Sequence, residues 1–245
     1  MTRKNTNAFL FLKKINIFDV LFLISFLTSI IMSFTMEREK LLYISPIVVF
    51  TILVKYLSVT KQKANLLFVI ALFALIAINF LTFYSFQKYF VLITMLTCFY
   101  LIIYSLILKK YLNKSNIKKI LSLSVLIGCL LIGYIIFSVI DLILNHIPNY
   151  SVIYVFLCAS SLFIYVVIFS RIYLNNNYDN TIIIFASGIA SLFNIGLSPI
   201  NEYYFYNKTF TILILICHYL SIYLFMKFIS ETNSKDKKNI EETYF

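Results

Sequence analysis

The chemistry open to this chain rests on four polar side chains set in apolar surroundings: Asn79, Asn194, Glu202 and His218. His218 lies in the middle of the run Thr209–Ile229, on one helical face with Thr211 and Ser221. An ionisable group at that depth in a membrane is a functional candidate by default. An amide cannot act as a general base at neutral pH, so proton transfer would fall to His218 and Glu202. Asn79 lies about five residues from the outer end of its run, Asn194 about seven from the outer end of its own, and Glu202 at that end itself. The four could line one cleft opening on the outer side, suited to a lipid head group or to proton transfer. Each also has a plainer role. An intramembrane Asn can bond a neighbouring helix for about 0.6–2 kcal/mol, a neutral His218 can pack with one Tyr or Ser partner, and Glu202 can be an interfacial residue.

The element that must position them is Thr181–Asn201, TIIIFASGIASLFNIGLSPIN, the seventh of eight apolar runs. It is apolar enough to cross a bilayer, yet it contains Gly188, Gly196, Asn194 and Pro199. Ser187, Ser191, Asn194, Ser198 and Asn201 follow at steps of four, three, four and three, which gathers them on one helical face. Small residues admit close helix approach and polar ones need partners, so the stripe of Ser187, Ser191, Asn194 and Ser198 is expected to face protein. The sequence shows no comparable stripe in any other span, so the other helices are expected to pack around this one.

Composition fixes the class. Of 245 residues, 61% are hydrophobic and 13% charged, with a mean hydropathy of +0.91, against about 45–50% apolar and 25% charged in soluble domains. The net charge of +11 sits in short loops between apolar runs, which points to topology and anionic lipid, not to nucleic acid. The four cysteines, Cys98, Cys129, Cys158 and Cys217, all lie inside apolar runs without Cys-x-x-Cys or Cys/His ligand spacing, so neither a disulfide framework nor a zinc site is expected.

In order, the expected spans are Ile15–Phe34, Leu41–Val59, Ala64–Tyr84, Tyr89–Leu108, Ile120–Ile140, Ser151–Ser170, Thr181–Asn201 and Thr209–Ile229. The first is too long and lacks the small-residue end of a cleaved signal peptide. Asp19 falls in its first turns, Lys55 is within snorkelling reach of the interface, and Asp141, His146 and Pro148 read as a loop. With the N-terminus inside, 17 of the 21 Lys and Arg fall on the cytoplasmic side, leaving Arg38, Lys40, Lys88 and Lys208 outside. The positive-inside rule then places both termini in the cytoplasm. The expected organisation is an all-α, polytopic helical bundle of the inner membrane. It comprises a basic N-terminus (1–14), an eight-helix transmembrane domain (15–229) and a charged cytoplasmic tail (230–245).

No carboxylate pair lies within a span, which weakens acid–base hydrolysis and proton-coupled transport. H-E-x-x-H, G-x-S-x-G and P-loop motifs are absent, and nothing in the chain calls for a cofactor or metal.

The layout of eight short-looped spans, over roughly residues 15–229, resembles the YhhN-type lysoplasmalogenase family, integral membrane proteins that hydrolyse the vinyl-ether bond of lysoplasmalogens. Pro148 followed by Val152-Ile153-Tyr154 and closing at Arg171 resembles the family's Pro-Val-x-x-Tyr helix ending in Arg. Gly188 with Phe193 resembles its Gly-x-x-x-Phe-x-x-Ser-Asp helix, Ala77–Leu81 sits where it has Gly-Asp and a following Phe-Leu, and Tyr104 stands where Ala-His-x-x-Tyr would end. The departures fall on the chemistry. The Gly-Asp position reads Ala77-Ile78, the Ala-His position Tyr100-Leu101, and the Ser-Asp position Ile195-Gly196 or Gly196-Leu197. The resemblance therefore implies a divergent member that binds a lipid or amphiphile between helices, with hydrolase activity lost or altered. The alternatives are an active lysoplasmalogenase, with His218, Glu202, Asn79 and Asn194 replacing the missing groups, or a small transporter or membrane-complex subunit. Membrane lipids are the expected surroundings, and a lipid-like molecule the expected ligand.

Overall fold

A computed structural model describes residues 17–112 and 123–232. The expected basic N-terminus, most of the charged tail, and Lys114, Lys118 and Lys119 lie outside the described residues, as does the side chain of Cys129. The described chain forms eight α-helices: α1 Ile17–Thr35, α2 Leu41–Thr60, α3 Leu66–Ser85, α4 Phe90–Lys109, α5 Leu123–Leu144, α6 Val152–Asn175, α7 Thr181–Pro199 and α8 Lys208–Glu231. Seven are long and apolar enough to cross a membrane; the described apolar segment of α5, Leu130–Leu144, is shorter. A helix of about 20 residues rises some 30 Å, the thickness of the hydrocarbon core. The protein is an all-helical, multi-pass membrane protein.

The helix ends follow local chemistry. Asn65 caps α3 by accepting from the Leu67 N–H, Asn207 caps α8 by accepting from the Thr209 N–H, and Asn176 closes α6 in the left-handed conformation at φ 46°. Two boundaries differ from expectation. The fifth helix runs to Leu144, so Asp141 is helical and not part of a loop, and α6 runs to Asn175, so Arg171 sits inside its last turns.

The packing inverts that of a soluble protein. In α1 the buried side chains are Ser25, Ser29 and Ser33, while Leu23, Ile24, Leu27 and Ile31 are exposed. Between helices in lipid there is no hydrophobic drive, so small and hydrogen-bonding residues take the seams and aliphatic ones face the chains. These three serines at steps of four correct the reading that α7 alone carries a small polar stripe.

Six helices form a closed ring, each packed on the next in the order α2, α3, α4, α6, α7, α8 and back to α2. Helix α1 lies outside it in the groove between α2 and α8, and α5 rests on α6, α7 and the turn that follows α7. The expectation that the bundle would pack around α7 is corrected: α7 packs chiefly against α8 and α6, and α3 and α4 face it across a cavity. Towards the end where the described chain begins and finishes, the ring is filled with aromatic side chains. Tyr104 stacks on Phe225 at 3.7 Å between centroids, Phe68 on Phe225 at 5.6 Å, and Tyr165 meets Phe169 edge-on at 5.3 Å. The cavity occupies the other half.

Lys55 does not snorkel. It is 7% exposed and pairs with Asp19 of α1 while bonding the Tyr223 hydroxyl of α8 at 2.7 Å. A buried ammonium is tolerated in such a place only with a counter-charge and further hydrogen bonds, and Tyr223 donates to Asp19 at 3.0 Å to complete the set.

Candidate functional site

The cavity has a volume of about 170 Å³, is partly open, and is walled by side chains of α3, α4, α5, α6, α7 and α8. Its wall is mostly apolar, and Asn79, Asn194 and His218 all reach it. Asn79, Asn194 and His218, from three helices, thus stand on one wall. Asn79, 4% exposed, points its amide nitrogen at the Ser45 carbonyl of α2 at a long 3.5 Å. Asn194 places its amide nitrogen 3.1 Å from Nδ1 of His218, which is 6% exposed. The other imidazole nitrogen, Nε2, is buried with no hydrogen-bond partner.

The stripe on α7 divides along its length. Ser187 donates to the Ser221 carbonyl of α8 at 2.7 Å, and both Ser187 and Ser191 are buried between helices. One turn on, Asn194 and Ser198 line the cavity with Gly196 and Pro199. Beyond Pro199 the chain widens into a π-helical turn, Ile200–Tyr204. Such turns are rare and gather at functional sites. Asn201, in that turn, donates to Thr211 at 3.0 Å and accepts from the Asn207 N–H at 2.9 Å, which ties the turn to the start of α8.

Glu202 is not part of the cavity wall, which corrects the four-membered cleft. The turn carries it to Arg38, in the connection between α1 and α2, and the two form an ion pair at 2.5 Å. Arg38 also donates to the Thr82 carbonyl at 3.1 Å, and Thr82 lines the cavity. The ion pair therefore sits at the cavity's edge. Arg38 lies in the run Glu37-Arg38-Glu39-Lys40, where no spacing marks which charge turns inward, so sequence reasoning missed it. It missed the Lys55–Asp19–Tyr223 cluster for a similar reason: its members lie up to 204 positions apart.

Two further hydroxyls of the wall, Thr94 and Thr97, donate to the carbonyls of Phe90 and Ile93 in their own helix. Among the described residues no Asp, Glu, Lys or Arg lines the cavity, and no three His, Cys, Asp or Glu side chains gather as metal ligands. The arrangement can hold a small apolar group and offer it hydrogen bonds; as a proton donor or acceptor His218 stands there without a carboxylate beside it. Comparison with protein-family models, with curated proteins and with solved structures gives no match to this chain.

Proposed function

We propose that this protein binds the apolar part of an amphiphile between its helices and does not hydrolyse it. The observation that carries the reading is the convergence of Asn79, Asn194 and His218 on one mostly apolar cavity of about 170 Å³. Pockets of that character, apolar with a few convergent polar groups, are where small ligands bind. A cavity of about 150 Å³ lined by aliphatic and aromatic groups accepts benzene, so the space fits a ring or a short run of methylenes while the rest of the molecule lies along the helices. The resemblance to YhhN-type lysoplasmalogenases fits this reading with the chemistry removed: His218 stands on the wall with no carboxylate beside it among the described residues, and vinyl-ether hydrolysis needs a positioned acid. The charge distribution supports an orientation with both termini in the cytoplasm and residence in the cytoplasmic membrane.

The test uses purified protein in detergent and a lysoplasmalogen as probe. Binding of the native state alone raises stability by about 2.7 kcal/mol at a concentration one hundred times the Kd. The expected result is a rise in melting temperature that Ala159→Phe, which fills the cavity, abolishes, with no aldehyde released. Aldehyde release that disappears in His218→Ala overturns the non-hydrolytic reading in favour of the enzyme.

A further inference from the structure

We infer that the cavity takes the hydrocarbon chain of a lipid already in the bilayer, which reaches it sideways past α5 and lies partly in a groove between α5 and α6. This rests on the ligand-binding reading above and names the source of the ligand and its way in. Helices α6 and α7 approach closely where Phe169 packs on Gly188. Further along, α5 rests on both of them, and its Ile135, Ile136, Val139, Ile140 and Ile143 form part of the cavity wall. Helix α5 stands outside the ring, so on that side the ring's own helices leave the cavity open and α5 closes it. The closure is incomplete, for Ile135 lines the cavity and is 52% exposed. What meets it from outside is lipid: Leu130, Leu131 and Phe137 beside it are also apolar and exposed, as side chains that face hydrocarbon are.

The groove is lined by Gly133 and Phe137 of α5 and by Phe156, Ser160, Phe163 and Ile164 of α6. Three further side chains, Ile136, Ile140 and Ala159, line the groove and the cavity alike, so a single layer of side chains parts the two. Along α6 the groove runs about 6–18 Å from the start of the helix, within the hydrocarbon thickness. Its one hydroxyl, on Ser160, donates to the Phe156 carbonyl of the same helix at 2.8 Å, and no charged side chain lines it among the described residues. Such a surface suits methylenes and gives a head group nothing to bind. Helix α5 is also loosely seated there: a Cβ at Gly133 would meet nothing within 4 Å. A small displacement of α5 therefore parts Ile136 and Ile140 from Ala159 and joins groove to cavity. A helix of a partner protein, about 10 Å across, would cap the groove without entering the cavity. A single hydrocarbon chain is thin enough to run from one into the other.

The chain has no tryptophan, so a single one introduced reports alone. The full chain is placed in nanodiscs of phosphatidylcholine brominated in mid-chain, with unbrominated nanodiscs as the reference. Phe90→Trp reports on the cavity, which Phe90 lines while 6% exposed; Phe163→Trp reports on the groove, and Tyr104→Trp, buried in the aromatic half, on the background. Bromine quenches a tryptophan that it nearly touches, so Phe90→Trp should lose about twice the fraction of its fluorescence that Tyr104→Trp loses. Phe163→Trp should be quenched as well. Gly133→Phe fills the groove without touching the cavity wall, and added to Phe90→Trp it should return the signal to background. Phe90→Trp at background from the outset overturns the inference. If lysoplasmalogen still raises the melting temperature of the native chain in detergent, the ligand-binding reading then stands; if it does not, both fall. An unquenched Phe163→Trp shows protein over the groove and overturns the inference too, and quenching of Phe90→Trp that survives Gly133→Phe overturns the route past α5. If Phe90→Trp does not fold, Ile93→Trp, one turn on in the same wall, is read in its place.

Discussion

Asn194 acts on the cavity through its neighbour: its amide nitrogen lies 3.1 Å from Nδ1 of His218 and fixes the ring in place. Asn194→Leu removes that constraint. The expected cost is about 0.6–1.7 kcal/mol, the range measured for hydrogen bonds between membrane helices, read as a lower unfolding midpoint. The 15N resonances of His218 should change with it. The ion pair near the other end obeys a harsher rule. Asp19→Asn leaves the ammonium of Lys55 buried, its side chain 9% exposed, beside a neutral group. The loss should be about 2 kcal/mol, below the 3–5 of a fully buried pair because the Asp19 side chain is 32% exposed. Adding Lys55→Met should return most of it, as a double-mutant cycle in detergent would show. Type and position alone identified Asn79, Asn194 and His218 as polar groups out of place. They did not reveal that Lys55 turns inward, because a lysine five residues from the end of α2 has the reach to go either way.

On the scale of one helix, α7 shows how two glycines in the same span come to differ. A Cβ at Gly188 would stand 2.3 Å from the ring of Phe169, which is itself wedged against Tyr165 and Phe185. Gly188→Ala should therefore cost about 1–3 kcal/mol through overpacking. A Cβ at Gly196 meets Val139 at 3.9 Å, an ordinary contact on the cavity side. Gly196→Ala should leave the unfolding midpoint unchanged, and equal losses for the two variants would show that α7 is not seated as described. The periodicity of serines and asparagines made the inward face of this helix legible. It did not show which part is seam and which part is wall, since that depends on how far α3 and α4 stand off across the bundle. In α1 the serine spacing was just as regular, but it is masked in sequence by the aliphatic residues that fill the lipid side.

At the scale of the molecule, spans and class were legible because a bilayer dictates length and composition together. The ring of helices was not, because many orders of packing bury the same small residues. The proposed orientation is open to a direct check on a variant freed of native cysteines. Lys88→Cys, on the α3–α4 connection, should react with an impermeant maleimide on intact cells, and Lys63→Cys, on the α2–α3 connection, only after permeabilisation; the reverse pattern refutes the orientation. The ring also sets a schedule for synthesis. Tyr219 of α8 donates to Ser45 of α2 at 2.7 Å and lies 3.2 Å from Ser29 of α1. Those two early helices meet their partner only after the ribosome has delivered α8, more than 140 residues later. Until then their serines must wait against lipid or against the insertion machinery. A chain halted before Lys208 would be an arc without its keystone, and a ready substrate for membrane quality control.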